Sequence, residues 1–173
     1  MTRDGLSLAI IDTSVLVNFL AIDRTDLLAS HPTYRFLAVD LVRDEVTRRA
    51  QVDRFRAALA AGHVLPDGPP ETIGIDELAA FATLSGLNAL GLGEQAAAAA
   101  AHARNLPLFM DDRRAWKQLA KVFPAIVRGD TVSLVVSLIR ANVLDVTQAD
   151  AIKGEWESEH SFRLRFTSFA EVV

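Results

Sequence analysis

The sequence predicts a three-layer α/β/α domain, with a central, mostly parallel sheet of four to five strands flanked by helices. Three observations predict it. Short apolar runs at residues 8–11, 36–39 and 106–110 each lead directly into an acid, Asp12, Asp40 or the Asp111-Asp112 pair. Strands buried on both faces read this way, with polar groups at their C-terminal tips. Longer segments of helical spacing separate the runs, and such alternation implies parallel strands joined by right-handed crossovers. Finally, the 173 residues are 50% hydrophobic and 23% charged, with no cysteine. That suits one ordered domain, 1–173, which buries its core without disulfides.

Taken in order, the first strand ends at Asp12, and Thr13-Ser14 open a helix to about residue 20. A short helical piece over 24–30 precedes the second strand. One helix is expected after Asp40, because Val42, Val46, Ala50 and Phe55 fall near helical spacing. A short strand at 63–65 leads into the turn-rich PDGPP of 66–70. Residues 75–84 read as a helix stopped by Ser85-Gly86. The run GLGEQAAAAAAHARN then places Glu94 in the first turn of an alanine helix suited to close packing. The third strand is followed by a helix over 113–121 and a strand at 125–127. Asp130-Thr131 then open a strongly apolar helix through residue 143, expected to lie in the core or at an interface. Thr147 is expected to cap a last helix to about residue 160, with Asp150 in its capping box. The tail 162–173 alternates enough for an edge strand or a short helix. The core covers about 8–142, and 143–173 form a C-terminal helix and tail.

Composition narrows the function. Acids outnumber bases 22 to 18, for a net charge of −4. A broad basic face of the kind that holds nucleic acid unaided is therefore excluded. No run approaches the roughly 18 apolar residues of a membrane span, and the first apolar run is too short for a signal segment. A soluble, cytoplasmic protein without membrane contact is the expectation.

The acids are more informative. Asp12, Asp40 and the Asp111-Asp112 pair follow strands that share one edge of a parallel sheet. Glu45 and Glu94 lie early in adjoining helices. Singly, each has an ordinary reading. Asp12, either Asp111 or Asp112, and Asp130 suit helix N-caps, Glu45 suits pairing with Arg48 or Arg49, and Glu94 suits a helix dipole. Jointly they exceed what caps require. Several carboxylates at one site repel unless a hard cation such as Mg²⁺ or Mn²⁺ joins them.

The stretches IIDTSVLVN, AVDLVRDEV, LGLGEQAAAAAA and LPLFMDDRRAW together resemble the PIN domain family over most of the chain. Gly-Glu at the third acid and Asp-Asp at the fourth are similar to a subgroup near the VapC-type toxins. The resemblance implies a Mg²⁺- or Mn²⁺-dependent ribonuclease, the toxin of a toxin–antitoxin pair, with an antitoxin partner and a homodimeric state. By position it assigns Asp12, Glu45, Glu94 and Asp112 as catalytic acids and metal ligands. Asp111 is a further ligand candidate, and the choice between Asp111 and Asp112 stays open. Thr13, Ser14 and Asp130 are support candidates, and Arg113 and Arg114 are candidates for RNA contact.

Two basic helices, carrying Arg43, Arg48, Arg49, Arg54 and Arg56 and then Arg113, Arg114, Lys117 and Lys121, flank the acidic edge. Arginine grips phosphate bidentately, although an ordinary solvated face explains each member singly. A haloacid-dehalogenase-like phosphatase needs a second aspartate where Ser14 stands. A P-loop and a dinucleotide fingerprint are both missing. The competing classes are a non-catalytic PIN-like interaction module, which usually lacks acids retained here, and an orphan nuclease that is not a toxin.

Overall fold

The computed structural model describes residues 5–68, 73–87 and 90–173. Its sheet has five strands, β1 (Ser7–Ile11), β2 (Tyr34–Ala38), β3 (Leu65–Pro66), β4 (Leu108–Phe109) and β5 (Arg128–Gly129). They lie in the order β3-β2-β1-β4-β5, and every pairing is parallel. β1 is central, and successive residues Ala9, Ile10 and Ile11 are all fully buried. Both faces of the sheet are thus covered, which is why the strand reads as an unbroken apolar run rather than an alternation.

Nine helices are described: α1 (Thr13–Ala21), α2 (Asp26–Ala29), α3 (Asp40–Glu45), α4 (Arg49–Ala60), α5 (Ile75–Ser85), α6 (Leu92–Ala103), α7 (Arg113–Val122), α8 (Thr131–Arg140) and α9 (Val146–Glu159). The alanine run of α6 is buried from Ala97 to Ala101. Small side chains let this helix approach the sheet closely. Trp156 joins α9 to α1. It is fully buried edge-on to Phe19, and its indole N–H donates to the Asn18 carbonyl at 2.8 Å.

Three expectations are corrected. The helix after β2 is two helices, because the adjacent β-branched residues Val46 and Thr47 leave helical geometry, with Val46 at ψ 94°. The last strand lies at Arg128–Gly129 rather than 125–127, since a turn that returns the Ile126 N–H to the Phe123 carbonyl, with Pro124 inside it, occupies those positions. The last helix is capped by Asp145, whose carboxylate accepts from the Gln148 N–H, and not by Thr147. Asp150 instead accepts from the Ser168 hydroxyl and the Phe169 N–H. Of the two readings of the tail, the short helix is the one found: a single 3-10 turn, Phe169–Glu171, with no strand among its residues. The predicted turn at 66–70 falls partly on positions 69 and 70, outside the described residues.

This order creates a switch point. From β1 the chain crosses to β2 on one side, while β4 pairs with β1 on the other. In open α/β sheets the carboxyl ends of the strands at such a point are the usual ligand position.

Candidate metal centre at the carboxyl edge

Asp12 leaves β1 at that switch point. Its N–H donates to the Phe109 carbonyl of β4, so its backbone still belongs to the sheet. Its carboxylate caps α1, with Oδ2 accepting from the Ser14 N–H at 3.0 Å and the Ser14 hydroxyl at 2.6 Å. The other oxygen, Oδ1, is buried and has no protein donor. Asp12 is 1% exposed, and burial pushes its pKa up, with the Glu45 charge adding to the rise.

Thr13 and Ser14 fasten Asp12 to its neighbours. The Thr13 hydroxyl donates to Glu45 Oε2 at 2.6 Å, tying the start of α1 to the end of α3. The Ser14 hydroxyl accepts from the Asp111 N–H at 3.0 Å while it donates to Asp12. One hydroxyl therefore bridges the tips of β1 and β4.

Glu45 stands in the last turn of α3, and the break at Val46 leaves it there. Its Oε1 accepts from the Gly93 N–H at 3.0 Å, at the start of α6. A Cβ at Gly93 would sit 2.4 Å from the Glu45 carboxylate, so glycine is what admits the acid. Glu94 follows, half-closing the same turn by accepting from the Gly91 N–H at 2.8 Å. Its pKa is raised, first by burial and then by the charges of Asp12, Asp112 and Glu45. Four acids from four segments thus share one electrostatic neighbourhood.

The aspartate pair divides. Asp111 is turned into the fold, accepting from the Thr131 N–H (2.9 Å), the Thr131 hydroxyl (2.7 Å) and the Asn18 amide (3.0 Å). Burial raises its pKa, and the nearby charge it feels is that of Asp130. Asp112 caps α7, its Oδ1 accepting from the Arg114 and Ala115 N–H groups. The Asp112 charge is among those that raise the Glu94 pKa. Asp130 caps α8 through the Ser133 N–H and lies 3.7 Å from Arg128.

Sequence reasoning gave no role to Asn18 or Thr131. Asn18 donates to both Asp111 and Thr131, holding the β4 tip against α1 and α8. A buried asparagine among valines and phenylalanine, in the motif IIDTSVLVN, was the available signal, because a buried amide needs partners. The arginines of the first basic helix prove largely engaged. Arg54 donates to the Leu20 and Ala21 carbonyls at the end of α1, Arg43 pairs with Asp40 and Arg56 with Asp53.

Chemically, the donor set is all oxygen, which suits Mg²⁺ or Mn²⁺. Asp12 Oδ1 supplies the fit: it is a buried carboxylate oxygen without a protein donor, of the kind a hard cation would satisfy. No three of the sheet-edge carboxylates place oxygens within 4.8 Å of one another. Among the described residues that spacing is met by Glu155, Glu159 and His160 at the end of α9.

No family model and no curated protein matches the chain. It does resemble solved structures. These include VapBC2 from Rickettsia felis bound to a DNA fragment from the promoter, at 13% identity over 71% of this chain and 98% of that one, TM-score 0.49. VapBC-1 from nontypeable Haemophilus influenzae resembles it at 17% identity over 72% and 98%, TM-score 0.48. PAE2754 from Pyrobaculum aerophilum does so at 19% identity over 79% and 91%, TM-score 0.47.

Proposed function

We propose that the chain is a PIN-domain, VapC-like ribonuclease that hydrolyses RNA phosphodiester bonds with Mg²⁺ or Mn²⁺ held by Asp12, Glu45, Glu94 and Asp112. The observation that carries this reading is the buried Asp12 carboxylate, with Oδ1 left without a donor at the topological switch point. Nothing in the packing of α1 requires that second oxygen, because Oδ2 alone caps the helix. The family resemblance of the four acid-bearing motifs supports the same assignment.

Each residue then has a physical task. Asp12 presents its free oxygen to the ion from a rigid strand end. Glu45 is steered by Thr13 and the Gly93 N–H, which fix its direction while leaving lone pairs for a ligand. Glu94 joins the set from the first turn of α6, where its carboxylate also accepts from the Gly91 N–H. Asp112 spends one oxygen on α7 and keeps the other. Asp111 serves as a positioning residue, anchoring the β4 tip through Thr131 and Asn18. When bound, the ion supplies positive charge for the phosphodiester oxygens and makes water a stronger acid.

The test is cleavage of RNA by the purified protein with Mg²⁺ or Mn²⁺. Asp12→Asn is expected to lower it by at least about 10²-fold, beyond the 10–100-fold usual for residues that merely support a metal ligand. Cleavage that survives excess chelator, or an Asn variant that cuts normally, overturns the assignment. The toxin role is tested separately. Expression should arrest growth, and the product of an adjacent small gene should relieve it. Robust RNase activity without arrest identifies an orphan nuclease instead.

A further inference from the structure

The C-terminal tail is irregular, yet it is fastened at every step. Phe162 packs edge-on against Trp156, and the Leu164 N–H donates to Glu157 Oε1 at 3.2 Å. Phe166 packs against the fully buried Phe169, and Asp150 holds both Ser168 and Phe169. Along Phe162-Arg163-Leu164-Arg165-Phe166 the apolar residues are partly buried and the arginines exposed. The alternation that suggests an edge strand therefore serves another purpose: it seats a strap by its apolar residues and turns two guanidinium groups outward.

Arg163 and Arg165 line a groove together with Arg113 and Arg128, and Asp111, Asp130 and the apolar residues of the strap share its lining. The two acids are already engaged. Asp111 accepts from Thr131 and Asn18, while Asp130 caps α8 and faces Arg128. Arg128 also lies over the Trp116 ring. Arg163 and Arg165 form no ion pair among the described residues within 4 Å. Four arginines thus concentrate at the carboxyl edge, beside the acids, in a chain whose overall charge is −4.

We infer that this groove binds the phosphate backbone of single-stranded RNA, with Arg163 and Arg165 of the strap as principal contacts. The inference rests on the ribonuclease reading for its ligand. Groove and acid centre share the β4 tip, through Asp111 and Asp112, so a strand held by the arginines runs toward the acids. Planar guanidinium groups on a pinned strap lose little freedom on gripping phosphate, whereas the acids alone would repel it. Contacts of this kind track the backbone and carry no base preference.

The experiment measures anisotropy of a short fluorescein-labelled single-stranded oligoribonucleotide. It uses the full chain carrying Asp12→Asn, so that the probe survives. Adding Arg163→Ala and Arg165→Ala is expected to weaken binding about 25-fold at 0.1 M salt. The slope of log K against log salt should fall by about 1.4, the value for two lost contacts to a single strand. Lysine at both positions should keep most of the slope, which a merely structural role for the tail would not predict. Arg24→Ala with Arg140→Ala removes equal charge elsewhere and is expected to change neither. An unchanged slope in the strap variant, or an equal loss in the control, overturns the inference. Arginine-dependent binding by a protein whose wild type cuts no RNA would sink the ribonuclease reading alone.

Discussion

Two acid clusters in this molecule have opposite solutions to the same problem. Asp67, just after β3, and Glu77 of α5 are largely buried, with side chains 9% and 12% exposed. Arg104, at the end of α6, meets both, with Nη1 2.7 Å from Asp67 and Nε 2.8 Å from Glu77. Its five donors satisfy two carboxylates at once, and in return its own pKa is driven up, chiefly by the bond to Asp67. At the carboxyl edge, Asp12, Glu45, Glu94 and Asp112 converge with no such arginine among their bonded partners. Their donors are hydroxyls and backbone N–H groups. The first cluster is closed by the chain itself; the second has only those neutral donors among the described residues. In the proposed reading, a bound cation supplies the missing balance.

The contrast can be broken from its closed side first. Arg104→Met leaves two poorly solvated carboxylates facing each other, and losing one partner of a buried ion pair is expected to cost about 3 kcal/mol. Thermal unfolding should show Tm lower by roughly 6–12 °C for a chain of this size. A change within 2 °C would mean that the triad holds nothing together.

On the open side the sign reverses. Asp12→Asn removes a charge that burial disfavours and keeps an oxygen to cap α1, so without metal it should raise Tm, by roughly 2–4 °C. The pH dependence follows from the direction of the shift. A carboxylate whose folded pKa lies above its unfolded value binds protons more tightly when folded, so lowering the pH stabilises the folded wild type. The advantage of the Asn variant should therefore shrink as pH falls from 7 toward the ordinary carboxylate range. Adding Mg²⁺ should raise the wild-type Tm and leave the variant nearly unmoved. An Asn variant less stable than wild type at pH 7 in chelator would contradict the frustrated-edge picture.

The smallest expected effect on stability is at Gly93. Alanine suits a helix start, but its Cβ would displace the Glu45 carboxylate, the far end of a long side chain, from its bonds to Thr13 and the Gly93 N–H, so Tm should change by less than about 2 °C. Cleavage, by contrast, should drop about 10–100-fold, as when a ligand loses its orientation. Unaltered cleavage would remove Glu45 from the site.

The legibility of these features follows from their physics. β1 and the alanine face of α6 could be read because burial on two sides, or close packing, acts directly on residue type. The positions of Asp12 at a strand tip and Glu94 in a first turn could be read because both are fixed by local pattern. Asp111 and Asp112 could not be ranked. Adjacent residues leave a strand in opposite directions, and which one meets Thr131 depends on α8, twenty residues away. The split between α3 and α4 was hidden because both halves keep the same apolar spacing. The strap was hidden because period-two alternation is shared by true strands and by any extended segment lying on a core. Asn18 was visible as an oddity, but its partners come from two other elements.

The tryptophans turn this architecture into an optical instrument. The chain has two, and both indole N–H groups end on backbone carbonyls of the segments that build the edge. Trp116 donates to Met110, the residue before Asp111, and Trp156 donates to Asn18, whose side chain holds Asp111. Arg128, in the lining of the basic groove, lies 5.3 Å from the Trp116 ring centre. Intrinsic emission therefore monitors both halves of the carboxyl edge without a label. Occupancy of the edge should register at both indoles, and traffic in the groove chiefly at Trp116.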